Sequence, residues 1–296
     1  MFSIVIPAFN EGSRIAVTIF DIQKVLTINK IEGAEIIVVD DGSTDRTAEM
    51  SSKTGNLLLS HPHNIGYGRS LKDGIEMATN DTIIITNADG SYPPEMIPVI
   101  LNEYNKGFDM IIGARKESRL TGTFKKRLLR SVIKKITEFS TGREIDDIDS
   151  GFRIFSKKDI ISVFIRLGND ISFASSLTLS YIMEGKFIKY IPVDYKSNND
   201  KESFKIRIRF FNTLLFIIGE VLFYDPMKIF MLYCGSLLAF TGLCFITALL
   251  TKWLLFSYLG LGCIFISILF FGYGLISVQL NNLLSKKENE RKNLSG

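Results

Sequence analysis

Histidine, cysteine and tryptophan are scarce in this chain, with two, three and one among 296 residues. All three cysteines, Cys234, Cys244 and Cys263, lie inside long apolar runs. Neither a disulfide framework nor a zinc site belongs there, so they read as small packing residues. The two histidines, His61 and His63, fall in one turn and read as surface residues without a catalytic role. No G-x-G-x-x-G follows the first strand and no G-x-x-x-x-G-K-[ST] occurs, which removes the dinucleotide fingerprint and the P-loop. The glycine-spaced run His63-Asn64-Ile65-Gly66-Tyr67-Gly68 comes after the third strand and reads as a turn entering a helix. Internal repeats and low-complexity segments are missing, and so is any recognisable nucleic-acid-binding module, so no nucleic acid partner is expected. The apolar run after Met1 is too short for a signal-peptide core and has no basic stretch before it, so export of the N-terminal part is not expected.

What is present is apolar material in quantity: 46% of the residues are hydrophobic, ample for a sizeable core. The net charge of +4 is unevenly spread, with basic residues crowded over 115–135 and 201–228. Two uncharged apolar runs, 229–250 and 254–280, each exceed the roughly 20 residues a helix needs to cross a bilayer, and only Thr251-Lys252-Trp253 separates them. Such a pair forms a hairpin with both flanks on one side. Lys201, Lys205, Arg207, Arg209 and Lys228 precede it and Lys286, Lys287, Arg291 and Lys292 follow it, against Lys252 alone in the link. The positive-inside rule then makes this a multi-pass protein of the cell membrane with its N-terminal domain in the cytoplasm. Between 206 and 224, basic and apolar residues mix at helical spacing before Asp225-Pro226, which predicts an amphipathic helix at the membrane surface. The expected division is a catalytic domain over 1–200, juxtamembrane helices over 201–227, two spans over 228–281 and a cytoplasmic tail over 282–296. Assembly of such hairpins into a homo-oligomer is left open.

The first two hundred residues alternate strand-like and helix-like runs, the pattern of βα units and a largely parallel α/β sheet. Strands are predicted over 3–9, 35–41, 56–61, 82–87, 110–115 and 187–195. Helices are predicted over 13–28, 44–52 with Ser43 as its cap, 68–78, 94–106 and 125–140.

The run from Thr82 stops abruptly at Asn87-Ala88-Asp89 and then turns through Gly90 and Pro93-Pro94, a buried strand delivering a carboxylate to the sheet edge where ligands of open α/β sheets collect. The first strand ends in Pro7-Ala8-Phe9-Asn10-Glu11 and the second in Asp40-Asp41-Gly42-Ser43-Thr44-Asp45. Three strands thus supply Glu11, Asp40, Asp41 and Asp89, a set suited to sugar hydroxyls, base edges and a cation rather than to bare phosphate.

Taken in order, Pro7-Ala8-Phe9-Asn10-Glu11, Val39-Asp40-Asp41-Gly42-Ser43-Thr44-Asp45, Asn87-Ala88-Asp89 and Asp147-Ile148-Asp149-Ser150-Gly151-Phe152-Arg153 resemble the family-2 glycosyltransferases of the polyprenyl-phosphate type, such as the dolichol-phosphate mannose synthases and their bacterial relatives. The resemblance covers nearly the whole chain, including Phe223-Tyr224-Asp225-Pro226 before the apolar pair. It implies a GT-A fold, which is Rossmann-like with a mostly parallel sheet. It also implies inverting transfer of a hexosyl group from a nucleoside-diphosphate sugar to polyprenyl phosphate, dolichyl or undecaprenyl. By that resemblance Pro7, Phe9, Glu11 and Asp40 contact base and ribose with Asp41 in support, and Ala88 joins the donor site. Asp89, with Asn87 and Ser91, would hold Mg2+ or Mn2+. Arg115 and Arg127 would meet the acceptor phosphate, with Ser150, Arg153 and Lys205 around it. Lys201, Ser203 and Lys205 would help close the site. The expected catalytic residues are Asp89, Arg115 and Arg127.

The metal motif of the family normally reads Asp-x-Asp, and here its first acid is Asn87, whose amide oxygen brings no charge to a cation. Ser91 stands where the mannose synthases commonly have Gln. Two other readings follow. A glycolipid or polysaccharide acceptor would need a base, with Asp147 or Asp149 as candidates, although the Gln-x-x-Arg-Trp-like motif of processive synthases is missing and Trp253 lies in the link. A chain weakened by Asn87 would serve instead as a membrane scaffold or sugar-nucleotide sensor.

Overall fold

The structure, a computed structural model, describes residues 1–116, 131, 134–135, 137–139, 141–164, 167–170, 172–196, 219, 222 and 225–294, with side chains as far as 283. The chain divides into two compact units, Met1–Phe216 and Ile217–Gly296.

The first unit is built on seven strands: β1 (Phe2–Ala8), β2 (Ala34–Asp40), β3 (Leu57–Ser60), β4 (Thr82–Ile85), β5 (Met110–Arg115), β6 (Arg153–Ser156) and β7 (Ile188–Val193). Their order is β3-β2-β1-β4-β6-β5-β7. Every neighbouring pair is parallel except those of β6, which runs antiparallel to both β4 and β5. The central β1 is buried along its whole length. That explains its continuous apolar sequence, since a parallel strand covered on both faces has no solvated side to mark by alternation.

Two layers of helix cover the sheet. Odd and even residues of each strand point to opposite faces, so Ile4 and Ile6 pack with α1 (Ile15–Ile28) and α4 (Met96–Tyr104). Val5, Ile37 and Val39 pack with α3 (Tyr67–Met77), α5 (Lys157–Val163) and α6 (Phe173–Met183). The short α2 (Thr47–Ser52) follows β2. Gly74 lets α3 settle on the sheet, because a Cβ there would lie 2.5 Å from Val5 Cγ1.

The α/β expectation holds, and the strands over 3–9, 35–41, 56–61, 82–87, 110–115 and 187–195 all appear with ends within two residues of those predicted. The strand not predicted is β6. The helix predicted over 44–52 begins only at Thr47, and Ser43 does not cap it: the Ser43 hydroxyl accepts the Asn10 N–H instead. Of the helix predicted over 125–140, the residues described are helical, and the remainder lies outside the described residues.

The second unit holds α7 (Pro226–Thr251) and α8 (Leu254–Leu294). Pro226 opens α7 where a missing N–H does no harm. Lys252, at φ 56°, ends it and starts the reversal. The two helices run antiparallel over small residues: Thr241 Oγ1 donates to Gly260 O at 3.4 Å, Cys234 Sγ lies 3.2 Å from Ser267 O, and Gly274 faces Phe230. Mean hydropathy reaches 2.1 in 226–251 and 2.4 in 254–283, and only 17% of each apolar window is buried in the chain. Both helices are therefore long and apolar enough to cross a membrane, and most of their surface is left uncovered within the chain. The predicted spans 229–250 and 254–280 fall inside them.

Candidate active site

The register pairs Ala8 with Asp40, so β1 and β2 leave the sheet side by side. Their exit loops are stapled together. The Asn10 side-chain oxygen accepts the Thr44 N–H (2.9 Å), the Glu11 N–H donates to Thr47 Oγ1 (2.8 Å) and the Gly12 N–H donates to Asp45 Oδ2 (3.0 Å). Asn10 reaches this position at φ 56°, a region asparagine tolerates better than most residues. Burial works to raise the Asp45 carboxyl, but hydrogen bonds from Thr47 and the Gly12 and Thr47 amides hold it below the usual carboxylate range. On this rim Phe9 is 44% exposed, Glu11 is half-buried, and Pro7 is buried beneath them. Asp40 is buried, with Oδ1 accepting the Ser43 N–H at 3.3 Å.

Asp41 turns the other way. Its Oδ1 accepts the Ile65 N–H (2.9 Å) and lies 3.0 Å from His61 Nδ1, and its Oδ2 accepts the Gly66 N–H (3.0 Å). It supports the rim from behind. The His61 side chain is correspondingly only 9% exposed, unlike the surface histidine expected from the sequence, whereas His63 is exposed as expected.

Asp89 stands on the turn after β4, beside β1. Its Oδ1 accepts the Ser91 N–H at 2.9 Å, and Gly90 takes φ 67° to close the turn. Ala88 is buried beneath, its carbonyl accepting Thr18 Oγ1–H (2.9 Å). Asn87 acts as an internal strut: its Nδ2 donates to Ser91 Oγ (3.3 Å) and its Oδ1 accepts from the Tyr67 hydroxyl (3.5 Å), with Gly151 so close that a Cβ would lie 2.7 Å from that oxygen. Burial, then Tyr92, pushes the Tyr67 phenol well above its usual range, against the pull of Arg153 and Arg115, so it stays a donor. Ser91 is wholly buried; its carbonyl accepts the Lys196 N–H (2.9 Å), tying the exit of β7 to this turn. Of the three expected metal ligands, Asp89 alone offers a carboxylate at the edge.

At the end of β5, Arg115 lies in an ion pair with Asp147: Nε donates to Oδ2 (2.7 Å) and Nη2 to Oδ1 (2.8 Å). Burial would raise the Asp147 carboxyl, yet Arg115 holds it below the carboxylate range; burial likewise opposes the Arg115 charge, and Asp147 outweighs it. A fifth of the Arg115 side chain stays accessible, lining a cleft of about 300 Å³ with Ala114, Lys116, Asp146, Tyr190 and Pro192. Its guanidinium also lies over the Tyr195 ring at 5.5 Å, and Tyr195, Tyr92 and Phe152 continue as a column of rings.

Two residues expected around the acceptor phosphate are interior supports. Arg153 is completely buried, donating from Nε to Ser150 O (2.6 Å), from Nη1 to Thr178 Oγ1 (2.7 Å) and from Nη2 to Ile148 O (2.6 Å). Ser150 is completely buried too, donating to Gly113 O (2.6 Å). Arg127, Lys201, Ser203 and Lys205 lie outside the described residues. Tyr67, Tyr92 and Tyr195 are given no role by the sequence, and His61 reads there as a surface residue. An aromatic between two glycines at a helix start was the one available signal, and it marked Tyr67.

A divalent cation of the Mg2+ or Mn2+ kind takes hard oxygen ligands, often one or two carboxylates completed by substrate phosphates and water. Among the described residues no three His, Cys, Asp or Glu side chains gather into a ligand set. The single carboxylate of Asp89 fits a cation that shares its shell with a diphosphate, and does not fit a closed all-protein cage.

Residues 3–164 match the family described as glycosyl transferase family 2. The chain belongs to this family. It is a glycosyltransferase with a GT-A type fold. Among its relatives is undecaprenyl-phosphate 4-deoxy-4-formamido-L-arabinose transferase of Pectobacterium atrosepticum, 28% identical over 84% of this chain and 74% of that protein. Another is the low-salt glycan biosynthesis hexosyltransferase Agl6 of Haloferax volcanii, 30% identical over 65% of this chain and 47% of that one. In fold it is similar to glucosyl-3-phosphoglycerate synthase of Mycobacterium tuberculosis, solved with Mn2+, uridine diphosphate and glucosyl-3-phosphoglycerate. The TM-score is 0.60 at 17% identity, over 75% of this chain and 80% of that one.

Proposed function

We propose that this glycosyltransferase moves one glycosyl group from a nucleoside-diphosphate sugar to a polyprenyl phosphate, with inversion, while α7 and α8 span the membrane and the catalytic unit, 1–200, works on the cytoplasmic side. The observation that carries this reading is that β4 and β5, both antiparallel to β6, end at one sheet edge, so that a carboxylate, Asp89, and a cationic side chain, Arg115, stand on the same rim. The undecaprenyl-phosphate transferase among the relatives supports the acceptor class. The uncovered apolar surface of α7 and α8 supports the membrane, and the basic flanks of the hairpin support the cytoplasmic side.

In this reading Phe9, Glu11 and Asp40 receive base and ribose, Pro7 and Asp41 hold that rim in shape, and Asp89 is the protein ligand of Mg2+ or Mn2+. When bound, the cation neutralises charge on the departing nucleoside diphosphate. The accessible part of Arg115, together with Arg127, holds the acceptor phosphate, and Asn87, Ser91, Ser150 and Arg153 keep those groups in place. A lipid phosphomonoester has a second pKa of about 6 and arrives largely charged, so the protein need supply no strong base. A hydroxyl acceptor would need one, and Asp147 is a poor candidate because Arg115 engages both its oxygens and lowers its basicity.

The test is to incubate membranes containing the protein with a panel of radiolabelled nucleotide sugars and polyprenyl phosphate, then extract the lipids. A labelled, mild-acid-sensitive lipid is expected. Label found only in polysaccharide, or none with any donor, overturns the reading.

A further inference from the structure

Behind the donor rim lies a row of polar side chains that runs inward from the surface. His61 follows β3, and its N–H donates to Asp40 O at 2.9 Å, so the backbone pairing of β2 and β3 runs to the last residue of β2. Its side chain is 9% exposed and sits between two carboxylates, with Nδ1 3.0 Å from Asp41 Oδ1 and Nε2 3.2 Å from Asp73 Oδ2. The second approach is a close contact without the alignment of a hydrogen bond. Asp73 is held in turn by Arg69, with Nε to Oδ2 at 3.0 Å and Nη2 to Oδ1 at 2.8 Å. Arg69, Asp73, His61 and Asp41 thus form a continuous row from the surface of α3 to the Asp40-Asp41-Gly42 corner.

We propose that His61 is a positioning residue for the donor nucleotide: it fixes the wall beside Asp40 by holding Asp41 against the 61–66 turn. The inference rests on the donor reading above. Two further observations carry it. Asp41 accepts the Ile65 and Gly66 amides, so its carboxylate is the clasp of that turn. Gly42, at φ 69°, meets the turn backbone to backbone; a Cβ there would lie 2.5 Å from His63 Cα. Movement of Asp41 therefore moves Asp40 on one side and His63-Asn64 on the other. Imidazole suits the task because its two nitrogens point in different directions, so one flat ring meets Asp41 on one side and stands against Asp73 on the other. A glutamine serves one carboxylate, and an alanine leaves Asp41 buried without its side-chain partner, a state that favours rearrangement.

The experiment uses the full chain in detergent micelles with Mn2+, titrated with UDP and with GDP, alongside steady-state transfer. For the nucleotide that the unsubstituted protein binds, His61→Ala weakens binding and raises donor KM at least tenfold, while kcat and acceptor KM change far less. His61→Gln and Asp73→Asn give the same split at about threefold, and they carry the test alone if the alanine variant does not fold. Amide exchange at Ile65 and Gly66 quickens in parallel. Unchanged nucleotide affinity in folded variants overturns the inference, and so does a fall in kcat with donor KM unmoved. If neither nucleotide binds the unsubstituted protein, the donor reading fails and this inference with it; if one binds and the variants bind it equally, only the role of His61 fails.

Discussion

Arg115 grips Asp147 at three points: two parallel side-chain contacts of 2.7 and 2.8 Å, and its own backbone N–H donating to Oδ2 at 3.1 Å. A fork of this kind is specific to guanidinium, because a lysine ammonium is a point donor that cannot meet both carboxylate oxygens in one plane. Arg115→Lys is accordingly expected to keep the charge yet lower transfer by roughly two orders of magnitude, the usual effect of displacing one preorganised charge-stabilising group. Initial rates at saturating donor, with acceptor varied, check it.

The same pair sets an acid limit on stability. The folded-state pKa of Asp147 lies below its unfolded value, which is about 3.9. The stabilisation is therefore fully present above that pH and is lost as pH falls through the lower folded-state pKa. Asp147→Asn is expected to cost about 3 kcal/mol at neutral pH, since it leaves a mostly buried guanidinium without its counter-charge. Denaturant titrations of both proteins should show a constant gap at neutral pH that narrows only below about pH 4.

Asp89→Ala removes the one acid of the turn after β4. Transfer should fall by about a hundredfold or more, on the scale of losing a major electrostatic stabiliser. Bound Mn2+ followed by electron paramagnetic resonance in the presence of UDP should fall with it. Retention of both would leave Asp89 without the assigned role.

Gly42→Ala meets two obstacles, the left-handed φ of 69° and the backbone of His63. Together they are expected to destabilise by about 2–4 kcal/mol, combining the left-handed penalty with overpacking. A lowered denaturant midpoint, with donor KM raised more than acceptor KM, checks it.

Arg153→Met removes a buried fork that serves Ser150, Thr178 and Ile148 together. With three buried acceptors left short of donors, a loss of about 3–5 kcal/mol is expected. Thermal unfolding and the yield of folded protein are the measurements.

Most of the sheet was legible in the sequence because β-branched runs such as Ile83-Ile84-Ile85 are uninterrupted, apolar and bounded by turn residues. The Asp89 turn was legible for the same reason, standing where such a run stops. β6 was not, because its four residues, RIFS, carry no period of their own and are held by neighbours on both sides. α6 escaped because ten of its eleven residues are buried, so no polar face marks a helical repeat. The burial of His61 was hidden for another reason: its partners, Asp41 and Asp73, come from a different strand and from a helix. Sequence spacing could place Arg153 and Ser150 at the rim but not tell whether their side chains look outward or inward.

The inward turn of Asp41 has an electrical consequence. Counted by letters, the rim bears five acids, Glu11, Asp40, Asp41 and Asp89 with Asp147 beyond them, enough to repel a diphosphate. With Asp41 facing inward to an imidazole and two amides, and Asp147 answered by a guanidinium, the face an incoming anion meets is less negative than the composition of its loops suggests.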